Sequence, residues 1–335
     1  MKIFLPFEVK DIGGTSTFAK KFQAGIEKLG HEVFFEFRED YDVLFMIVQC
    51  PFKYLRHAKK AGRPIVQRLD GTYYWAVSGW RFPLMNAKAA IIRHFYTNFS
   101  IYQSRYSQEC ANRFLGEKRP DPSTIIFNGA DLDIFSPTGP KKNLRDNPTQ
   151  TIFFTASAFR RRDQIEPLLA ACQKYRQFYS KNFKLVLAGN FVGELEGYEK
   201  KLARLPYVQL LGKVKNFDLA AYERGADAFL FTHLNPPCPN NIIEAMSCGL
   251  PIIGLTDGAM AEIVTSGQNG QLLPVHGTGF WRQRAFDVAA FAANMEAVRV
   301  NRLKLAEASR TIAQERFSLE KMTEAYVKAF RSLLK

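Results

Sequence analysis

Short runs of contiguous apolar residues alternate along this chain with longer stretches in which apolar residues recur every three or four positions. The runs at 2–6, 32–37, 43–48, 64–69, 100–103 and 124–127 predict strands. Between the first two, residues 15–29 place Phe18, Phe22 and Ile26 at i, i+4 and i+8 ahead of Gly30. That is one helical face with a C-terminal stop. Residues 52–61, 86–95 and 104–115 also read as helices, the last stopping at Gly116. Residues 131–150 break the pattern with Pro137, Gly139, Pro140, Lys141, Lys142 and Pro148, and predict a linker. The alternation then restarts. Strands are expected at 151–155, 184–187, 208–211, 228–231 and 251–254, and helices at 163–179, 195–205, 219–224 and 240–248. From 286 onward the pattern is mostly helical.

Such alternation argues for parallel sheets with helices on both faces. The break divides the chain into a domain at 1–135, a linker at 136–150, a second domain at 151–315 and a closing helix at 316–335. The expected fold class is therefore α/β, with two doubly wound domains. Ligands of such sheets bind at the carboxyl ends of the strands, and two such domains would share a cleft. A length of 335 residues suits two domains. Hydrophobic residues at 47% and charged residues at 23% exclude disordered, collagen-like and coiled-coil classes. The longest apolar run, 43–48, is far short of the roughly 20 residues that span a bilayer. The opening residues lack the apolar core of a signal peptide and read as a first strand. Five scattered cysteines with no CxxC pair point to a reduced, cytoplasmic setting.

Charge changes the picture more. The net charge is +14, and it is concentrated. Between Asp42 and Glu109 ten bases face a single acid, Asp70. Such a field attracts phosphates, anionic lipid or nucleic acid, although solvated helix faces would look the same. The stretch 52–61 sets Tyr54 and Leu55 among Lys53, Arg56, Lys59 and Lys60, the composition of an interfacial helix. An anionic acceptor, or peripheral contact with the inner membrane surface, is expected. Nucleic acid is not, because no binding motif accompanies the charge.

Candidate chemistry concentrates in residues 235–274. Pro236-Pro237-Cys238-Pro239 forms a rigid turn, and a helix should start at Asn240 or Asn241, residue types suited to capping. On a helical projection Ile242, Ile243 and Met246 share one face, while Asn240, Asn241 and Glu244 lie on the other. Glu244 is thus expected to point away from the apolar face. A helix N-terminus favours phosphate, and a nearby carboxylate suits hydroxyls such as those of a ribose. Taken alone, Glu244 is equally an ordinary first-turn glutamate.

This segment resembles the retaining GT-B glycosyltransferases of family 4. Glu244-Ala245-Met246, Gly249-Leu250-Pro251 and Asn269-Gly270 fit that family's pattern, and Pro237-Cys238-Pro239-Asn240 fits the subgroup with a Pro-Cys-Pro-Asn turn. Tyr102-Gln103-Ser104 and the stretches 127–131 and 226–231 are similar to its other landmarks. The resemblance implies two Rossmann-like domains, the second binding a nucleotide-sugar donor and the first a glycan or lipid-linked acceptor. It implies transfer with retention of configuration, without a metal or other cofactor. The family's ribose-binding glutamate corresponds to Glu244. Its other glutamate, eight positions earlier, is Pro236 here, which leaves the backbone N–H groups of Asn240 and Asn241 to meet the donor.

The resemblance also points to Gly13 and Gly14, between the first strand and first helix, as a glycine loop. Physically the pair could equally be a tight βα turn. Arg160, Arg161 and Arg162 stand where the family places bases that neutralise the donor diphosphate, though without its spacing; a solvated basic turn is the plain alternative. Asp70 occupies a place where the family often has a histidine. It would orient the acceptor hydroxyl or take its proton, unless it merely pairs with a neighbouring base. The five histidines form no metal-binding pair. The alternative to an enzyme is a catalytically inactive sugar-nucleotide-binding or regulatory protein of the same fold, suggested by Pro236.

Overall fold

A computed structural model describes residues 1–9, 14–275, 279–281 and 285–334. It divides into two compact units: Met1–Gly129 with Phe280–Arg282 and Phe317–Lys335, and Ala130–Gly279 with Gln283–Arg316.

The first unit contains β1 (Lys2–Phe4), α1 (Gly14–Lys28), β2 (Glu32–Phe34), β3 (Val43–Ile47), α2 (Phe52–Lys60), β4 (Ile65–Leu69), α3 (Trp75–Ser78), α4 (Phe82–Phe95), β5 (Phe99–Tyr102), α5 (Arg105–Leu115) and β6 (Ser123–Ile125). Its six strands run parallel in the order β2-β1-β3-β4-β5-β6. Both faces are covered, which is why the strands are continuous apolar runs. Alternate residues separate cleanly: Val43, Phe45 and Ile47 pack with Phe18, Phe22 and Ile26 of α1, while Leu44 and Met46 pack with Leu55 and Ala58 of α2.

The second unit contains β7 (Thr151–Ala156), α6 (Glu166–Phe178), β8 (Phe183–Ala188), α7 (Glu199–Leu202), β9 (Val208–Gly212), α8 (Asn216–Glu223), β10 (Ala228–Leu230), α9 (Asn240–Ser247), β11 (Ile252–Leu255), α10 (Met260–Ile263), β12 (Gly270–Leu273), α11 (Val288–Val300) and α12 (Arg302–Arg316). Its strands are also parallel, in the order β12-β11-β10-β7-β8-β9. α6 and α11 bury Leu168, Cys172, Tyr175, Phe291 and Met295 against Phe153, Leu185, Leu230 and Ile253 of the sheet. The five cysteines are buried and none forms a disulfide.

Several details depart from the sequence pattern. The closing helix, α13 (Leu319–Arg331), packs back on the first unit, where Tyr326 and Phe330 join the cluster of Phe22 and Phe45. Residues 131–150 are held to the second unit: Arg145 pairs with Asp227 at 2.6 Å and donates to the Gly225 carbonyl at 2.9 Å. β12 has no counterpart in the apolar pattern. It is four residues long and opens on glycine, so its identity rests on pairing with β11. The helix at 52–60 turns Leu55 and Ala58 inward and sets Tyr54 edge-on to Phe4 at 5.1 Å. Its apolar residues are thus used inside the fold, contrary to the expectation of an interfacial helix, and Lys53, Arg56, Lys59 and Lys60 are what it exposes.

Candidate donor site

The strand order fixes where a ligand can sit in the second unit. The chain runs outward from β7 through β8 to β9, then returns to place β10 on the other side of β7. The connections after β7 and β10 therefore diverge and leave a crevice at their carboxyl ends. Residues 157–162 follow β7, and residues 231–239 follow β10 and lead into α9.

Five hydrogen bonds build this edge. Asn241, on the first turn of α9, donates from Nδ2 to the carbonyl of Ala156 at the end of β7, 2.8 Å away. Gln164 accepts the backbone N–H of Arg160 at 2.7 Å and of Arg161 at 3.1 Å. Thr232 Oγ1 donates to the Gln164 carbonyl at 3.0 Å, tying the same turn to the end of β10. Asp257 then accepts the N–H of Asn235 at 2.7 Å. Two glycines permit close approach. A Cβ on Gly189 would lie 1.8 Å from the Ser157 carbonyl oxygen, and one on Gly258 would lie 2.4 Å from that of Pro236. Both also have positive φ, +126° and +57°.

The three arginines are not equivalent. Arg161 is held by Asp163, with Nε donating to Oδ1 at 3.0 Å. Arg162 is exposed and pairs along the helix with Glu166 at 3.2 Å. Arg160 is exposed, with its backbone fixed and its guanidinium in no ion pair among the described residues. Beside them His233 stacks on Phe231 at 4.9 Å, with Gln164 Nε2 3.5 Å from its Nδ1. Burial, helped by the charges of Arg161 and Arg160 against that of Asp163, pushes its pKa down to about 4. The imidazole is neutral near pH 7 and adds no charge to the arginines.

Two expectations about α9 need correction. Its N-cap is Pro239, with no side-chain cap, so Asn240 and Asn241 both lie inside the first turn. Asn241 instead accepts the N–H of Ile242 and serves as the clip to β7. Glu244 does not face outward. Every residue from Ile242 to Ser247 is buried, and Glu244 is 2% exposed. The polar face of the projection is covered because α8 and α12 both pack on α9. Asn216, on the first turn of α8, donates to both Glu244 oxygens at 3.1 and 3.2 Å. From α12, Arg310 donates to the Ser247 carbonyl at 2.7 Å. Pro236 is buried, and its carbonyl accepts the N–H of Ala259 at 2.8 Å.

In the first unit, Asp70 lies just past β4, one-fifth exposed and 3.0 Å from Arg68 Nε. Arg68 is buried. Its guanidinium carbon sits 3.2 Å above the centre of the Phe18 ring, and Nη2 donates to Asn128 at 2.8 Å. Asn128 in turn donates to Gln103 at 3.2 Å. The ion pair with a neighbouring base is thus present. Burial nonetheless raises the Asp70 pKa against the opposing effects of Arg68 and a hydrogen bond from Gln103. A hollow of about 470 Å³ opens at this unit's own switch point, lined by Phe7, Phe35, Tyr54, Glu8 and Glu36 among others. Gly14 is the exposed first residue of α1, and Gly13 lies outside the described residues. Among the described residues, no group of three or more His, Cys, Asp or Glu is placed to hold a metal ion, and no helix is long and apolar enough to cross a membrane.

Gln164 and Asn216 had gone unremarked in the sequence. Asn216 is 28 positions from Glu244 and Gln164 is 69 from His233, separations that no local pattern links.

Comparisons with known proteins agree with this architecture. Residues 149–299 match the family described as glycosyl transferases group 1. A probable sucrose-phosphate synthase of Thermosipho melanesiensis is 26% identical over 217 residues, 62% of this chain and 45% of that protein. The chain thus spans under half the length of that relative. The structure is similar to sucrose-phosphate synthase from Thermosynechococcus elongatus, with a TM-score of 0.76 at 16% identity over 99% of this chain and 98% of the other. It is also similar to Anabaena HepE in complex with UDP and glucose, with a TM-score of 0.71 at 17% identity over 99% of both chains. Residues 149–299 thus match glycosyl transferases group 1, and the chain has the GT-B fold.

Proposed function

We propose that this chain moves a sugar from a nucleotide-sugar donor to an acceptor hydroxyl, with retention of configuration and without a metal. One observation carries the reading. The Asn241–Ala156 hydrogen bond holds the uncapped start of α9 beside the arginine-bearing turn, at the switch point of the second sheet. A helix N-terminus and an unpaired guanidinium at one crevice suit a diphosphate. UDP and glucose bound to Anabaena HepE, a protein of the same fold, support a donor of this class.

In this reading Arg160 and the first N–H groups of α9 hold the diphosphate and take up the charge that develops on it as the sugar leaves. The transfer, in this reading, proceeds on one face of the sugar, assisted by the leaving diphosphate. The acceptor oxygen bonds to the anomeric carbon as the bond to the diphosphate breaks. The acceptor proton passes to the departing diphosphate oxygen. The first unit takes a glycan or lipid-linked acceptor, with Asp70 orienting its hydroxyl. The Asn216 amide competes with ribose hydroxyls for the Glu244 oxygens, so the part of Glu244 in donor binding is coupled to that pair.

Thermal shift and calorimetry with UDP, GDP and ADP and their sugars test the proposal. A matching diphosphate at about 100 times its Kd should stabilise the fold by about 2.7 kcal/mol. Arg160→Ala should cut that gain to about 1.4 kcal/mol or less at the same ligand concentration, and an unchanged gain would refute the site. The second reading, donor binding without transfer, is favoured by Pro236, which offers no side-chain oxygen to the donor sugar. Product analysis with the bound donor and a panel of glycan and lipid-linked acceptors separates the two.

A further inference from the structure

We propose that the first unit docks on an anionic lipid bilayer through α4, with α2 supplying the flanking charge. Exposed apolar side chains are unusually dense between residues 75 and 95. Trp80 is 66% exposed, Leu84 71%, Ile91 44% and Phe95 70%. On α4 the positions 84, 88, 91 and 95 follow one another at i, i+4, i+7 and i+11, so Leu84, Lys88, Ile91 and Phe95 form one stripe. The opposite face is the one that packs inward, through Asn86, Ala89, Ile92 and Arg93. α4 thus turns a mixed face inward and leaves Leu84, Ile91 and Phe95 exposed on the outside, an arrangement a water-facing helix does not need.

Charge identifies the occupant. No acid occurs from residue 71 to 108, and the bases lie beside the stripe. Phe52 of α2 meets Tyr96, just past α4, with ring centres 5.9 Å apart. Lys59 Nζ lies 5.7 Å from the Tyr96 ring, and Lys88 Nζ 5.7 Å from the Phe52 ring. Lys59 of α2 and Lys88 of α4 thus lie where the two helices meet, and α2 also exposes Lys53, Arg56 and Lys60. Exposed apolar side chains flanked by bases, on a segment without an acid from 71 to 108, match an acyl boundary under anionic headgroups. Each base near such a surface contributes about a fivefold gain in partitioning. This inference stands apart from the glycosyl-transfer proposal, since docking requires no donor.

The test is flotation of the full chain with vesicles of phosphatidylcholine alone and of equal parts phosphatidylcholine and phosphatidylglycerol, without nucleotide. Binding is expected only to the mixed vesicles, and to weaken with added salt. Leu84→Ser with Phe95→Ser should lower partitioning at least about tenfold. Lys53→Glu with Lys59→Glu should lower it comparably. Both pairs are surface positions, and an unchanged Tm confirms that the variants fold. The emission of Trp80, read with Trp75→Phe and Trp281→Phe, should shift to the blue on binding. Equal binding to both vesicle types, no binding, or variants that bind like the parent would each overturn the proposal. So would sedimentation showing that the same substitutions dissolve a dimer, because the stripe would then be covered by a second copy of the chain.

Discussion

The side-chain amide of Asn241 donates to the carbonyl of Ala156, 2.8 Å away, and so joins the start of α9 to the end of β7 across 85 residues of sequence. This contact fixes the helix terminus beside the turn that carries the arginines. Asn241→Ala removes it and leaves the buried Ala156 carbonyl short of a donor, at a stability cost of about 1–2 kcal/mol. The larger expected effect is on donor binding, with Kd for the matching nucleotide diphosphate rising about tenfold while Tm falls by only a few degrees. Calorimetry beside thermal unfolding separates the two, and a stability loss with unchanged Kd would deny the clip its role.

Arg160 and Arg161 should behave differently although they are adjacent. Arg161 is committed to Asp163, whereas Arg160 presents its guanidinium to solvent. Arg160→Ala is expected to weaken diphosphate binding about tenfold or more, with less effect in high salt, and to leave binding of the bare nucleoside unchanged. Arg161→Ala is expected to act mainly through stability. Titrations of nucleoside against nucleoside diphosphate check the contrast. Equal losses from both variants would show that the turn acts only as a diffuse positive surface.

Glu244 is buried and held by the partly exposed Asn216, so substitution of either tests whether the carboxylate recognises a ligand or braces the fold. Glu244→Ala leaves the Asn216 amide without its acceptor and should cost about 2–3 kcal/mol of stability. Asn216→Ala leaves the carboxylate in place and removes that amide from both its oxygens. If Glu244 recognises ribose, Asn216→Ala should preserve or tighten donor binding even as it destabilises the fold. Parallel losses of affinity in both variants would mark the pair as structural alone.

His233 predicts a pH dependence of known sign. An unfolded histidine titrates near 6.5, whereas in the fold its pKa is about 4. As pH falls below about 6.5 the unfolded chain takes up the proton first, so stability is full above that value and declines toward pH 4. Between pH 7.5 and 5 this group should cost about 2 kcal/mol. His233→Gln should flatten that part of the stability profile in denaturant titrations. An unchanged slope would place the acid sensitivity elsewhere.

Asp70→Asn keeps the shape of the side chain and removes its charge. If Asp70 orients an acceptor hydroxyl, turnover should fall about a hundredfold while donor affinity is unchanged. Because burial raises its pKa, the acid limb of the rate profile should lie above the usual aspartate range in the parent and vanish in the variant. Loss of stability with normal turnover would assign Asp70 only to the Arg68 pair.

By itself the sequence determined the two parallel α/β halves, because strands covered on both faces must be written as unbroken apolar runs and their covering helices as periodic ones. Val43–Ile47 and the Phe18, Phe22, Ile26 series show both signatures. It also located the loop and helix around Asn240 and the turn at Arg160, since Pro, Gly and clustered charge mark the ends of such elements. Tertiary structure decided what those residues face. Glu244 looks polar-facing on a helical wheel, yet a wheel shows one helix alone and takes no account of α8 and α12 closing over it. Tyr54 and Leu55 read as an interfacial face until Phe4 and its neighbours claimed them, while α4, opposite in sense, was left with an apolar stripe outside. Periodicity records that a residue is apolar or polar. Which neighbour covers it depends on the packing of elements far apart along the chain.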